Sequence, residues 1–270
     1  MLGFALLTAS LQIPVLSEAE PTAPFYRYTC LDKFGERQAA HMMDFDWREM
    51  VLLTLCWLGY FTLHSALASL RLKSWVAMHY PERMPLYRLS FNILAALMLL
   101  PILWLMVRNP GPTLWAWQGL GAWLTNGLAL AALFGFMKSL NYYDTQEFLG
   151  LRQWKSHTRR VEDQEGFRLS PFHRYVRHPW YCFGLVLIWT RDMNAAMLLS
   201  GVMMTAYFII GSRLEEKKLV AYHGDVYRRY MERVPGLIPL PWKSLTAKEA
   251  AELVNTAQSA LERPRQGLLG

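Results

Sequence analysis

Long apolar runs separated by strongly basic connections organise this chain. As α-helices rising ~1.5 Å per residue, residues 50–70, 89–107 and 115–137 are each long enough to cross about 30 Å of hydrocarbon. Asn92 and Pro101 lie inside the second run, and Trp115, Trp117 and Trp123 open the third like an interfacial aromatic belt. Between them, Asn109-Pro110-Gly111-Pro112 reads as an uncharged turn. Hydrophobicity returns at Trp180 and continues to Gly211, interrupted only by Arg191-Asp192. The half before that interruption would be only ~16 Å long as a helix. It therefore starts below the membrane surface or forms a tilted hairpin with residues 193–211. Pro179 disfavours helical geometry at His178, which predicts a break there. The expectation is an all-α integral membrane bundle of about five spans (50–70, 89–107, 115–137, 180–192 and 193–211), including the hairpin, within a domain over residues 44–242.

The basic residues orient the bundle. Residues 71–88 hold four Lys or Arg, residues 138–177 eight and residues 213–243 seven, whereas the other two connections hold Arg108 and Arg191 alone. Because basic loops stay on the cytoplasmic side, the N-terminus is expected outside and the C-terminus inside. The net charge of +7 belongs to these connections and forms no single basic face, which argues against nucleic acid as a partner. The same segregation reconciles 53% hydrophobic residues with a mean hydropathy of only +0.10. Lipid is the partner that this much apolar surface requires.

Residues 1–43 read as a tail without organised pattern, and Met42 offers an alternative translation start. Residues 243–270 read as a tail helix, opened by a capping box at Thr246-Ala-Lys-Glu249 and fraying before Pro264. Cys30, Cys56 and Cys182 show no CxxC spacing, so neither a disulfide framework nor a metal site is expected.

Polar residues that can carry chemistry concentrate after the third run and after the hairpin. The first group comprises 141–147, Gly150-Leu-Arg-Gln153 and Arg174-Tyr-Val-Arg-His-Pro-Trp-Tyr181. The second comprises Arg213-Leu-Glu-Glu-Lys-Lys-Leu219, residues 224–230 and Val234-Pro-Gly-Leu-Ile-Pro239. A hairpin returns to the side it left, so Arg177-His178 and Glu215-Glu216 are expected to meet. Taken singly, these residues also fit blander roles. Arg177 and His178 can snorkel at a membrane edge, and the glutamates can be a solvated helix start. Tyr227 and Tyr230 can pack one helix face on the membrane surface. His64 reads as a hydrogen-bonded bundle histidine, with no second histidine at helical spacing to make a metal pair. His157 reads as a solvated loop residue.

The ordered set Arg177-His178-Pro179-x-Tyr181-x-x-Gly184, Glu215-Glu216-x-x-Leu219 and Gly224-x-x-Tyr227-x-x-Tyr230-x-x-x-Val234-Pro235 resembles the isoprenylcysteine carboxyl methyltransferase superfamily of membrane enzymes. Leu149-Gly-Leu-Arg-Gln153, the 167–171 lead-in, and Trp189 followed by Met193 are most similar to its bacterial methanethiol S-methyltransferase branch. The stretch His64-Ser65-Ala66-Leu67-Ala68-Ser69 is shared with that branch and with the related NnrU family.

The resemblance implies S-adenosyl-L-methionine as methyl donor and a small thiol as acceptor, in a bacterial cytoplasmic membrane with the site on its cytoplasmic side. It assigns the donor to Gln153, Phe167, Arg168, His173, His178, Pro179, Trp180, Tyr181 and Glu215. Arg177 is expected to stabilise the thiolate or the donor carboxylate, with Glu216 or a water as base. Two positions depart from the resemblance. His173 stands where members usually have tyrosine, and Gly211 stands where the eukaryotic carboxyl methyltransferases have a substrate-binding arginine. The second favours a small or neutral acceptor over a prenylated carboxylate. Other chemistries stay open: methylation of a lipid or isoprenoid, NADPH-dependent reduction on the same scaffold, or a non-enzymatic NnrU-like role.

Overall fold

A computed structural model of the chain describes residues 46–157 and 167–266; the 1–43 tail, with its alternative start, lies outside the described residues. Asp46 caps α1 (Trp47–Ala68) by accepting from the Arg48 amide at 2.9 Å. Ser69 ends it in extended geometry and caps the short α2 (Leu70–His79). After a 3₁₀ turn at Pro81–Arg83, α3 (Met84–Arg108) carries Pro101 within it. The third span, α4 (Gly119–Leu140), is followed by two five-residue helices, α5 (Thr145–Leu149) and α6 (Leu151–Lys155). The hairpin pairs α7 (Pro179–Trp189) with α8 (Ala195–Arg233), and α9 (Ala247–Gln266) closes the chain. The helices α1, α3, α4 and α8 are long and apolar enough to cross a membrane, and α7 is a shorter apolar helix. The protein is an all-α, multi-pass membrane bundle.

Three expectations change. Trp115 does not open the third span. It sits in the two-stranded ribbon of β1 (Thr113–Trp115) and β2 (Met193–Asn194), and α4 starts four residues later at Gly119. Nor does residue 193 begin a helix. Residues 190–194 join α7 to α8 in non-helical backbone that pairs with β1, and the first amides of α8 are met by the segment before β1: Ala195 donates to the Pro112 carbonyl at 3.1 Å, Ala196 to that of Pro110 at 3.0 Å. Backbone at membrane depth is tolerated where protein satisfies it in this way. Third, α9 continues past Pro264 to Gln266, and its start is the expected capping box, with Glu249 Oε2 accepting from the Thr246 amide at 2.8 Å.

At 39 residues, α8 is ~58 Å long, twice the hydrocarbon thickness, so only its apolar first half spans. The rest, from about Arg213, leaves the membrane, bends at Gly224 (φ 56°) and packs against α9. Tyr227 and Tyr230 are buried there with Phe167, Val234 and Leu245, rather than lying on a lipid surface.

Close approaches set the helix positions. Trp57 of α1, fully buried, donates to Ser200 Oγ of α8 at 2.9 Å. A Cβ on Gly135 of α4 would meet the Phe183 ring of α7 at 2.9 Å. Gly150 (φ 85°) lies so near α3 that a Cβ would stand 2.6 Å from the Leu89 amide nitrogen, and only glycine suits both constraints. The bundle thus has a tryptophan end, with Trp104, Trp115, Trp117 and Trp123 exposed, and a basic end, where Arg71, Lys138, Arg177 and Arg213 lie.

Candidate functional site at the basic end

His178 is the residue on which the site is built. Pro179 starts α7 and leaves His178 outside the helix at φ −120°, ψ 73°, the break that the His-Pro step predicts. The chain 177–178 is held by the backbone of the loop after α8: Arg177 N–H donates to the Pro235 carbonyl at 2.8 Å and His178 N–H to that of Gly236 at 3.0 Å. Its ring, 7% exposed, lies with Nε2 3.1 Å from Glu216 Oε1 and Nδ1 3.5 Å from Glu215 Oε2. Burial pushes the imidazole pKa down, but hydrogen bonds and charge from the two glutamates outweigh it, and the net shift is upward. Each ring nitrogen thus faces a carboxylate oxygen, the arrangement in which an imidazolium donates from both.

Arg177 completes the cluster. Its Nε and Nη2 reach Glu216 Oε1 at 2.8 and 2.7 Å, and Nη1 donates to the carbonyls of Met231 and Val234. Four of the five guanidinium N–H groups are therefore engaged by the protein itself. Burial would raise the Glu216 pKa, yet hydrogen bonds from His178 and Arg177 and the Arg177 charge bring it below the usual carboxylate range. Gly236 leaves room for this arrangement, since a Cβ there would lie 3.3 Å from Arg177 Nη2. Glu215, by contrast, has a half-exposed side chain and, among the described residues, its polar contacts are at 3.5 Å, to His178 and to the Tyr181 hydroxyl.

An aromatic column flanks the histidine. Tyr181 stacks between His178 (5.4 Å, 13°) and Phe208 (4.9 Å, 6°). Trp180 points the other way, donating to Ser139 Oγ at 2.8 Å and packing against Phe136, Tyr143 and Phe148. His173 Nδ1 accepts from the Ser170 amide at 3.2 Å and lies 2.7 Å from its hydroxyl, while Nε2 is 3.4 Å from the Tyr143 hydroxyl. Burial and the nearby His178 hold its pKa down at about 4, against the opposing pull of Glu215, so this second histidine is neutral.

The hairpin therefore brings Arg177, His178, Pro179, Tyr181, Glu215 and Glu216 into one cluster, with His173 and Trp180 at its edge. Three other sequence candidates lie apart from it in direct contact. Phe167 is 7% exposed and packs into the core formed by Tyr227 and Tyr230. Arg168 is exposed. Gln153 belongs to α6, where Nε2 donates to the Glu147 carbonyl at 3.2 Å and the buried Oε1 has no partner among the described residues. Sequence reasoning missed Tyr143 and Ser139, whose only signal was the polar stretch opening at Lys138, and the backbone role of Pro235-Gly236.

The arrangement offers an exposed carboxylate, an aromatic face and an imidazole held between two carboxylates within one cluster at the edge of the membrane. Comparison with known proteins gives it a context. The chain is 31% identical over 194 residues to methanethiol S-methyltransferase 2 of Bradyrhizobium diazoefficiens, covering 71% of this chain and 74% of that protein. It is also 31% identical to the methanethiol S-methyltransferases of Crocosphaera subtropica (70% and 74% covered) and Mycobacterium tuberculosis (72% and 80%). No family model matches the chain, and no solved structure matches it. Likeness of this extent, shared by relatives from three distant bacteria, shows that the chain belongs to the methanethiol S-methyltransferase family.

Proposed function

We propose that this protein is an S-adenosyl-L-methionine-dependent methyltransferase of a bacterial cytoplasmic membrane, methylating a small thiol such as methanethiol to a thioether such as dimethyl sulfide. Residues 44–242 form the catalytic domain, with the basic end and its site in the cytoplasm, as the distribution of Lys and Arg favours. The observation that carries the reading is the cluster of His178, Tyr181, Glu215 and Glu216 in a chain of this family.

The residues fit the donor's chemistry. S-adenosylmethionine carries a sulfonium, an ammonium and a carboxylate, and when bound it supplies an electrophilic methyl group. Glu215, loosely held and half exposed, suits the ammonium or the sugar hydroxyls. The Tyr181 ring suits the sulfonium, and the unpartnered Gln153 Oε1 is an acceptor that a donor N–H or O–H would satisfy. His173, Pro179 and Trp180 are assigned to the walls, and the Phe167-Arg168 backbone, which lies apart from the cluster here, to a further contact with the donor. Arg177 and Glu216, held by each other, by His178 and by backbone, serve best by fixing His178 and Glu215 in place. Transfer from a sulfonium is an in-line displacement that needs alignment and exclusion of water, so rigidity is itself the contribution.

The test is calorimetric titration of the purified protein with S-adenosylmethionine and with NADPH, beside headspace analysis of dimethyl sulfide after methanethiol is added. Binding of the methyl donor with thioether formation is expected. NADPH binding, or donor binding with methyl transfer to lipid alone, would overturn the reading.

A further inference from the structure

A second polar cluster lies inside the bilayer, apart from the donor residues. His64, four residues before the end of α1, has Nδ1 2.8 Å from the hydroxyl of Tyr207 on α8, and Ser65 Oγ lies 3.3 Å from the same hydroxyl. The pairs Trp57–Ser200 and His64–Tyr207 have the same separation of 143 residues, so α1 and α8 run parallel here in fixed register. An ionisable residue within a span is costly to place there and needs a reason. The Trp57–Ser200 bond already joins the two helices without one.

On α8, Tyr207, Gly211 and Glu215 follow at intervals of four and so share one face. Gly211 leaves a gap between the other two. Where its Cβ would be, the helix's own backbone and chain neighbours aside, the one atom within 4 Å among the described residues is the Tyr181 hydroxyl, at 3.8 Å. That same hydroxyl reaches Glu215 at 3.5 Å. Gly211 thus has Tyr181 beside it, Glu215 one turn toward the donor residues and Tyr207, with its partner His64, one turn toward the middle of the span. A helix face bare of a side chain between two polar residues suits a short apolar thiol.

We propose that this gap over Gly211 seats the acceptor thiol and that His64 Nε2, which has no hydrogen bond among the described residues, takes the thiol proton. The proposal rests on the thiol methyltransferase reading above. The required tautomer has His64 Nδ1–H donating to Tyr207, whose hydroxyl donates on to Ser65. The thiolate, not the thiol, is the nucleophile. The S–H bond breaks with its proton passing to Nε2. The thiolate sulfur bonds to the methyl carbon, and the bond from that carbon to the sulfonium breaks with its electron pair kept on the donor sulfur. The products are a thioether, a neutral donor thioether and an imidazolium, which returns its proton to water one helical turn away at the end of α1.

The test compares ethanethiol with 2,2,2-trifluoroethanethiol, in which fluorine acidifies the S–H without lengthening the chain. Wild type, His64→Gln and Tyr207→Phe are assayed as full-length protein in nanodiscs, with S-adenosylmethionine affinity measured by titration. Both variants are expected to bind the donor as wild type does. His64→Gln should lose roughly a hundredfold or more in kcat on ethanethiol, the range of general-base catalysis, but about tenfold less on the acidic thiol. Tyr207→Phe should show the same asymmetry, more weakly, and decides the matter if His64→Gln fails to fold. Equal losses on both thiols, or no loss, would overturn the role of His64 while leaving the proposed function standing. A wild-type protein that binds the donor but methylates neither thiol would overturn both.

Discussion

Nε2 of His178 lies 3.1 Å from Oε1 of Glu216, a residue 38 positions later in the chain and on the other arm of the hairpin. The pair joins the start of α7 to the point where α8 leaves the membrane, and it has a pH signature. The folded-state pKa of His178 is raised, so its stabilising contribution is full below the unfolded value of about 6.5 and is lost as pH rises through the folded value. Glu216 is depressed, so its contribution is present above the ordinary carboxylate range and is lost as pH falls through the folded value. Stability should peak between these limits. The thermal midpoint in detergent is expected to fall on going from neutral to alkaline pH, and His178→Gln should flatten that limb. An unchanged slope in the variant would show that His178 is not the group responsible.

Glu215→Ala should weaken S-adenosylmethionine binding by roughly ten- to a hundredfold, about 1.5–3 kcal/mol, the loss of a hydrogen bond to a charged ligand. Its half-exposed side chain carries little of the fold, so the unfolding midpoint should hardly move. His157→Ala, at an exposed turn, serves as control and should change neither quantity. Native affinity in Glu215→Ala would remove this carboxylate from the donor site.

Gly150→Ala combines a left-handed backbone with a Cβ placed 2.6 Å from the Leu89 nitrogen, which belongs to the backbone and has no rotamer to yield. A loss of roughly 1–3 kcal/mol is expected. The structural alternative is a shift of α5 and α6 away from α3, which would break the Arg88 and Asn92 bonds to the Phe148 carbonyl. Equilibrium unfolding of the variant measures the cost, and a value within error of wild type would contradict the packing described.

Topology can be read by reporter fusions. Nineteen basic residues in three connections against two in the others predict Gly111 and the C-terminus on opposite sides, the latter in the cytoplasm. Fusions at Gly111 and after Gly270 that report the same compartment would reject this arrangement.

Much of this was legible in the chain. Hydrophobic run length located α1, α3 and α4, and the His178-Pro179 step located the break before α7. The return of a hairpin to its own side predicted that Arg177-His178 would meet Glu215-Glu216. What stayed hidden depended on contacts across the bundle. Nothing local distinguishes Phe167 as a core residue, because its burial is made by Tyr227 and Tyr230 some sixty residues on. The ribbon of Thr113–Trp115 with Met193–Asn194 was unreadable for the same reason, since each strand is shorter than any periodicity. The partners of His64 and Trp57 on α8 were likewise invisible without the fold.

That ribbon has a consequence for which changes of chain length the protein tolerates. It pins the start of α8 at the tryptophan end, and Asn194 caps the helix there by accepting from the Met197 amide. The two carboxylates that face His178 lie some twenty residues further along the same unbroken rod. Adding or removing one residue between Ala195 and Glu216 would slide Glu215 and Glu216 by ~1.5 Å and swing them by about 100° around the helix axis. Neither could then reach the imidazole. This stretch of α8 acts as a ruler with both ends fixed, so a one-residue change in its length should cost the site more than a substitution at one of its exposed positions.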